Sequence, residues 1–192
     1  MTQSGIVWIG TLVVGSLAWT VVVAGPPVVE SLVARWDGVR VHVSYRVSGG
    51  LTDEAIERIH SGIPVLIRHR IELRARRGFL RIARELGRTV IATHVEYDSL
   101  TQQYRLLREA RVHRPSGAGR HEPVVEETVT DSLEDMHAWM TRITDVAVEP
   151  IAARPWAAAR VRVDVTLDRR WVWFVFPSTV EVSDTVEVEM AD

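Results

Sequence analysis

Alternation of apolar and polar side chains dominates the middle of this chain. Val39, Val41, Val43, Tyr45 and Val47 alternate with Arg40, His42, Ser44, Arg46 and Ser48, the two-residue period of a strand with one buried face. Ser48-Gly49-Gly50 breaks the pattern. Thr52-Asp53-Glu54 then offers a capping hydroxyl and two acids to the positive end of a short helix. Its apolar stripe is Ala55, Ile56 and Ile59, and its stop is Gly62. From residue 63 to 76 the odd positions Val65, Ile67, His69, Ile71, Leu73 and Ala75 are predicted to face inward. Arg68, Arg70, Glu72, Arg74 and Arg76 are predicted to face out.

Residues 88–97 and 104–112 read as two further strands, joined as a hairpin by the polar turn Asp98-Ser99-Leu100-Thr101-Gln102-Gln103 between two tyrosines. Residues 115–119 read as a flexible loop, and residues 123–129, which begin with a proline, as an edge strand. Asp131 or Ser132 caps a second helix with Glu134 and Asp135 in its first turn and Leu133, Met136, Met140 and Ile143 on its apolar face. Ala159, Val161, Val163, Val165 and Leu167 alternate in another strand, and Val180, Val182, Val186, Val188 and Met190 in a last one. The expected fold is mainly β with two short helices (α+β), an antiparallel β-sandwich or a strongly curved sheet with about seven strands.

The N-terminus obeys a different pattern. Residues 5–25 run 21 positions without a charge and are closed by Pro26 and Pro27. As a helix they would reach about 31 Å, enough to cross a hydrocarbon core. Trp8 and Trp19 lie towards the two ends, as interfacial rings do. A signal peptide is the rival reading, since Val22 and Ala24 are small residues ahead of a possible cut after Ala24. Against it, the run is long for a signal core and residues 1–4 carry no Arg or Lys. The chain therefore divides into residues 1–27, an anchor or signal helix, and residues 28–192, one β-rich domain.

Composition narrows the chemistry. There is no cysteine, which removes disulfides, thiolate metal sites and cysteine nucleophiles. All 23 basic residues are arginine, which removes P-loop and Schiff-base lysines. The net charge of −2 conceals a segregation. Residues 1–63 hold 4 Arg against 5 acids, residues 64–120 hold 13 against 5, and residues 121–192 hold 6 against 15. A basic middle and an acidic end mean either two partner surfaces or strands that neutralise one another in a sheet.

Two blocks carry a family resemblance. Residues 51–77 (LTDEAIERIHSGIPVLIRHRIELRARR) contain a short helix that ends in Ser61-Gly62-Ile63-Pro64-Val65 and enters a long basic strand, and residues 95–106 (VEYDSLTQQYRL) form a tyrosine-flanked turn. Over residues 38–168 the chain resembles the bacterial domain of unknown function 4390. The C-terminal part departs from the family's pattern. The resemblance implies an N-terminal signal or anchor and a place outside the cytoplasm; it implies no activity. That outweighs the positive-inside rule, which here rests on Arg35 and Arg40 alone and favours the cytoplasm.

Candidate chemistry is thin. His69 and His94, on neighbouring strands, invite a metal but lack a third ligand unless Glu96 supplies it; the expectation is structural histidines, no metal and no cofactor. Glu181, Glu187 and Glu189 have the parity of a solvated face. Arg77, Phe79, Leu80, Arg81 and Arg84 belong to a basic amphipathic turn over residues 77–88, suited to an anionic membrane surface or to closing one end of the fold. Residues 171–177, with Trp171, Trp173 and Phe174, are apolar on both parities and predict either a covered strand or an exposed aromatic loop for a partner or membrane. No basic surface interleaved with aromatics speaks for nucleic acid. The expected function is binding or scaffolding at the cell envelope by an inner-membrane, single-pass protein with its domain in the periplasm, or by a secreted periplasmic domain if the helix is cleaved. The partner would be an envelope protein or lipid. The alternatives are a periplasmic lipid-handling module and, last, an enzyme.

Overall fold

The computed structural model describes residues 26–77, 82–113, 122–150, 158–172 and 176–190. Among them are nine strands and two helices. In chain order they are β1 (Val28–Trp36), β2 (Val41–Ser48), α1 (Asp53–His60), β3 (Val65–Arg77), β4 (Ile82–Asp98), β5 (Gln103–His113), β6 (Val124–Thr130), α2 (Leu133–Thr141), β7 (Arg142–Val148), β8 (Ala158–Val172) and β9 (Phe176–Glu189). They form two antiparallel sheets, a small one ordered β1-β2-β7 and a large one ordered β6-β5-β4-β3-β8-β9. The mainly-β expectation holds, and each helix links the two sheets. α1 carries the chain from the small sheet to the large one, and α2 carries it back.

The alternation read from the sequence becomes the core. Val41, Val43, Tyr45 and Val47 of β2 are buried against Val65, Ile67, Ile71 and Leu73 of β3, Ile91 and Val95 of β4, and Val161, Val163 and Val165 of β8, in one continuous cluster shared by both sheets. Thr52 caps α1 by accepting the Ala55 N–H, and Ser132 caps α2 by accepting that of Asp135. Gly62, at φ +76, ends α1 in the left-handed conformation that its role as a stop requires. β6 is an edge strand, as Pro123 just ahead of it suggests.

Three expectations are corrected. First, β1 and β7 are strands that the alternation does not announce. Each carries a bulge where a residue sits at positive φ, Ser31 (55°) in β1 and Asp145 (54°) in β7. The extra residue breaks the two-residue period by which a strand is recognised.

Second, Ile143 does not lie on the second helix. The helix stops at Thr141 because Arg142 is extended, and Ile143 packs opposite Tyr45 in β7.

Third, residues 82–88 are strand and not a helical turn. β4 stays in register with β3 from Arg77↔Ile82 to Glu72↔Arg88, past one bulge, so sheet pairing overrides a helical spacing that had only apolar positions in its favour. Gly87 confirms the pressure at this point. A Cβ there would come within 2.2 Å of the Glu149 carbonyl oxygen, so the large sheet meets the end of β7 backbone to backbone.

Candidate interaction surfaces

Strand register defines two ends of the domain. Val28 pairs with Ser48, and Gly50 lies against Leu167 and Thr141, so the chain enters from residues 1–25 at the end where β8 leaves Leu167 for its hairpin with β9. This near end also holds α1, the 98–103 turn and the start of α2. The far end holds the β1–β2 turn, the end of β7 and the hairpin that closes at Arg77↔Ile82. Measured along the large sheet, Val172 and Arg77 stand about fifteen residue steps, or about 50 Å, apart. The two segments singled out for membrane contact therefore occupy opposite ends.

Their residues are placed as follows. Arg77 ends β3 at the far end, and Arg84 is exposed on β4 opposite Ala75. Trp171 pairs with Pro177 and Val172 with Phe176, so the described part of this apolar stretch belongs to the hairpin between β8 and β9. Ala24, Phe79, Leu80, Arg81, Trp173 and Phe174 lie outside the described residues, as do residues 1–25 and the predicted loop at 115–119. Among the described residues no helix is long and apolar enough to cross a membrane.

The histidine pair separates as well. His69 faces the core, whereas His94 pairs with Leu66 and Leu107 on the outer face of the same sheet, so the two cannot share a ligand. Among the described residues no three His, Asp or Glu side chains converge as a metal site would need. His69 instead shares a 3.0 Å hydrogen bond with the Tyr45 hydroxyl across the two sheets. Burial holds its pKa down at about 3, helped by the Arg108 charge and opposed by the Met140 carbonyl. Burial likewise raises that of Tyr45. Arg108 stacks 4.2 Å from the Trp139 ring centroid and donates to the Trp139 and Arg142 carbonyls, binding the C-terminal end of α2 to β5.

A second histidine does conspicuous work that the sequence reading passed over. His42 lies between two carboxylates, with Nε2 2.8 Å from Asp37 and Nδ1 3.0 Å from Asp145. Only with both ring nitrogens protonated can it donate to both. The Arg40 and Val39 N–H groups also donate to Asp37 and, with His42, hold its carboxyl down at about 2. The clasp ties the β1–β2 turn to the bulge of β7. Nothing in the alternation points to it, because its partners lie 103 residues apart.

The outer face of the large sheet explains the charge segregation. The basic strand β3 and the acidic strand β9 do not pair; β8 lies between them. Glu72 stands between Arg88 of β4 and Arg162 of β8 and is almost fully buried under its neighbours, with Arg74 at 2.6 Å and Arg88 at 3.3 Å. Arg162 engages Asp164 at 2.8 Å, and Arg160 reaches Glu187 on β9. The charges thus neutralise one another across four strands towards the far end. Arg68 and Arg70 remain exposed in the middle of the face.

The chain is, then, a two-sheet antiparallel β domain with helices as sheet-to-sheet connections and a charge-laced outer face. It belongs to the family described as Domain of unknown function (DUF4390), whose model matches residues 25–173. No curated protein and no solved structure matches it.

Proposed function

We propose that this protein is a membrane-tethered domain on the extracytoplasmic side of the inner membrane that binds or scaffolds an envelope partner. The observation that carries this reading is the entry point. The uncharged run of residues 5–25 leads into β1, whose start at Val28 lies at one end of the domain, on the side of the β8–β9 hairpin and away from the β3–β4 hairpin. The partner surface is then the outer face around Arg68 and Arg70 together with the overhanging β3–β4 hairpin. Lipid carriage draws no support from the interior. The space between the sheets is taken by fully buried side chains such as Ile71, Ile91, Leu106, Met136 and Met140.

Two measurements test the reading. The full chain is expected to stay with membranes after alkaline carbonate washing, and alkaline phosphatase fused after Glu30 is expected to be active. An inactive fusion overturns the orientation, and extraction by carbonate overturns the tether. The intact mass of the mature chain decides between an anchor and a cut after Ala24.

A further inference from the structure

We infer that the near end of the domain is itself a lipid contact, resting on the headgroups of a bilayer whose lipids carry an ammonium group. The inference rests on the tether reading and adds an orientation to it. Only Pro26 and Pro27 separate the apolar run from β1, and Pro27 is already buried in the domain. Three residue steps span at most about 10 Å, and two prolines make a stiff connection, so a tethered domain has no slack with which to stand away from the surface.

The end held so close is apolar at its projections. Val28 at the start of β1, Ile63 ahead of β3, Leu100 in the β4–β5 turn and Leu133 at the start of α2 are all exposed, and they come from four separate elements. Leu100 is 93% exposed in a turn otherwise built of polar residues. The turn is preformed: Asp98 accepts the Leu100 N–H at 2.8 Å and the Thr101 N–H at 3.4 Å, which lowers its own pKa. Beside it the exposed His60 packs on Tyr97 and on the buried Tyr104 with ring centroids 4.9 to 5.8 Å apart, and its Nε2 lies 2.6 Å from the Tyr104 hydroxyl, which fixes α1 next to the turn. Asp53, Glu54 and Glu57 on α1 and Asp131, Glu134 and Asp135 around the start of α2 outnumber Arg58, the one arginine within these two helices. That excess of carboxylates suits the ammonium groups of phosphatidylethanolamine and is repelled by anionic lipid.

The absence of cysteine makes a direct test available. Leu100→Cys and, separately, Val39→Cys at the far end are labelled with an environment-sensitive fluorophore in the full chain, reconstituted in vesicles of phosphatidylethanolamine and phosphatidylcholine. The Leu100 label is expected to shift to the blue and to lose intensity to shallow spin-labelled lipid, the Val39 label to do neither. Phosphatidylglycerol at low salt is expected to reduce the Leu100 quenching. Ile63→Cys supplies a second position at the same end and is expected to follow Leu100. If the chain resists carbonate while the Leu100 and Ile63 labels stay unquenched, the lipid contact is wrong and the tether stands. Carbonate extraction overturns both. Equal quenching at Leu100 and Val39 overturns the orientation, and protection of Leu100 in native envelopes but not in vesicles gives this end to a protein partner instead.

Discussion

Acidification should loosen the domain through His69. The ring is buried between the sheets, and its pKa falls from 6.5 to about 3. In the unfolded chain the same imidazole titrates at its ordinary value. Below that value the unfolded state binds a proton that the folded state refuses. Stability is therefore complete above about pH 6.5 and is lost as the pH falls towards 3. At about pH 5 the gap is about 1.5 units, or about 2 kcal/mol, a large fraction of the stability of a typical domain. With a urea slope of about 2 kcal/mol/M, the unfolding midpoint should fall by about 1 M between about pH 7.5 and pH 5. His137, half-buried near Arg46, shifts in the same direction and contributes to the same slope. Comparison with His69→Gln isolates the buried ring. The variant is expected to begin less stable at neutral pH and to lose much less on acidification. If the variant and the unaltered chain fall in parallel, a buried neutral His69 is not the source and the reasoning fails.

Three further outcomes follow from the geometry. Gly87→Ala should cost about 1 to 3 kcal/mol in urea unfolding, because its new methyl group meets a backbone carbonyl that has nowhere to go; an unchanged midpoint would show that the sheets are not this close. Glu72→Gln should cost about 1 to 2 kcal/mol, a value kept low because the Arg74 and Arg88 heads are partly exposed and can turn to water, and the loss should shrink in high salt. Changing Arg77, Arg81 and Arg84 to Glu together should leave flotation of residues 28–192 with vesicles of phosphatidylethanolamine and phosphatidylcholine unaltered. A loss of flotation would place the far end on the membrane.

Much of this fold was legible in the order of residues, and the losses have physical causes. The strands that announced themselves, β2, β3, β8 and the β4–β5 hairpin, alternate apolar inward residues with polar outward ones over most of their length, so their period survives in the sequence. β1 and β7 lose theirs to a single bulge residue each. Residues 82–88 hide their strand because Ala83 and Leu86 also fit a helical stripe, and what decides against the helix is a partner strand that the local sequence does not reveal. The surfaces fared worse for the same reason. Whether Arg88 and Glu72 neutralise one another, or His42 finds Asp145, depends on register between separate strands. The two apolar segments could be recognised singly, yet only the pairings Leu167↔Ile67 and Arg77↔Ile82 put them at opposite ends.

The path by which the chain visits its sheets constrains how it can assemble. β3 to β6 form a meander of neighbouring strands that can pair as soon as each is present. β7 and β8 close onto strands laid down roughly ninety to a hundred residues earlier, β2 and β3 respectively. Until they arrive, one edge of β3 and the apolar face of the meander stand open to any other chain nearby. Pulse-labelled hydrogen exchange during refolding should find the amides of β4 and β5 protected before those of β2 and β7. The reverse order would mean that the small sheet templates the large one.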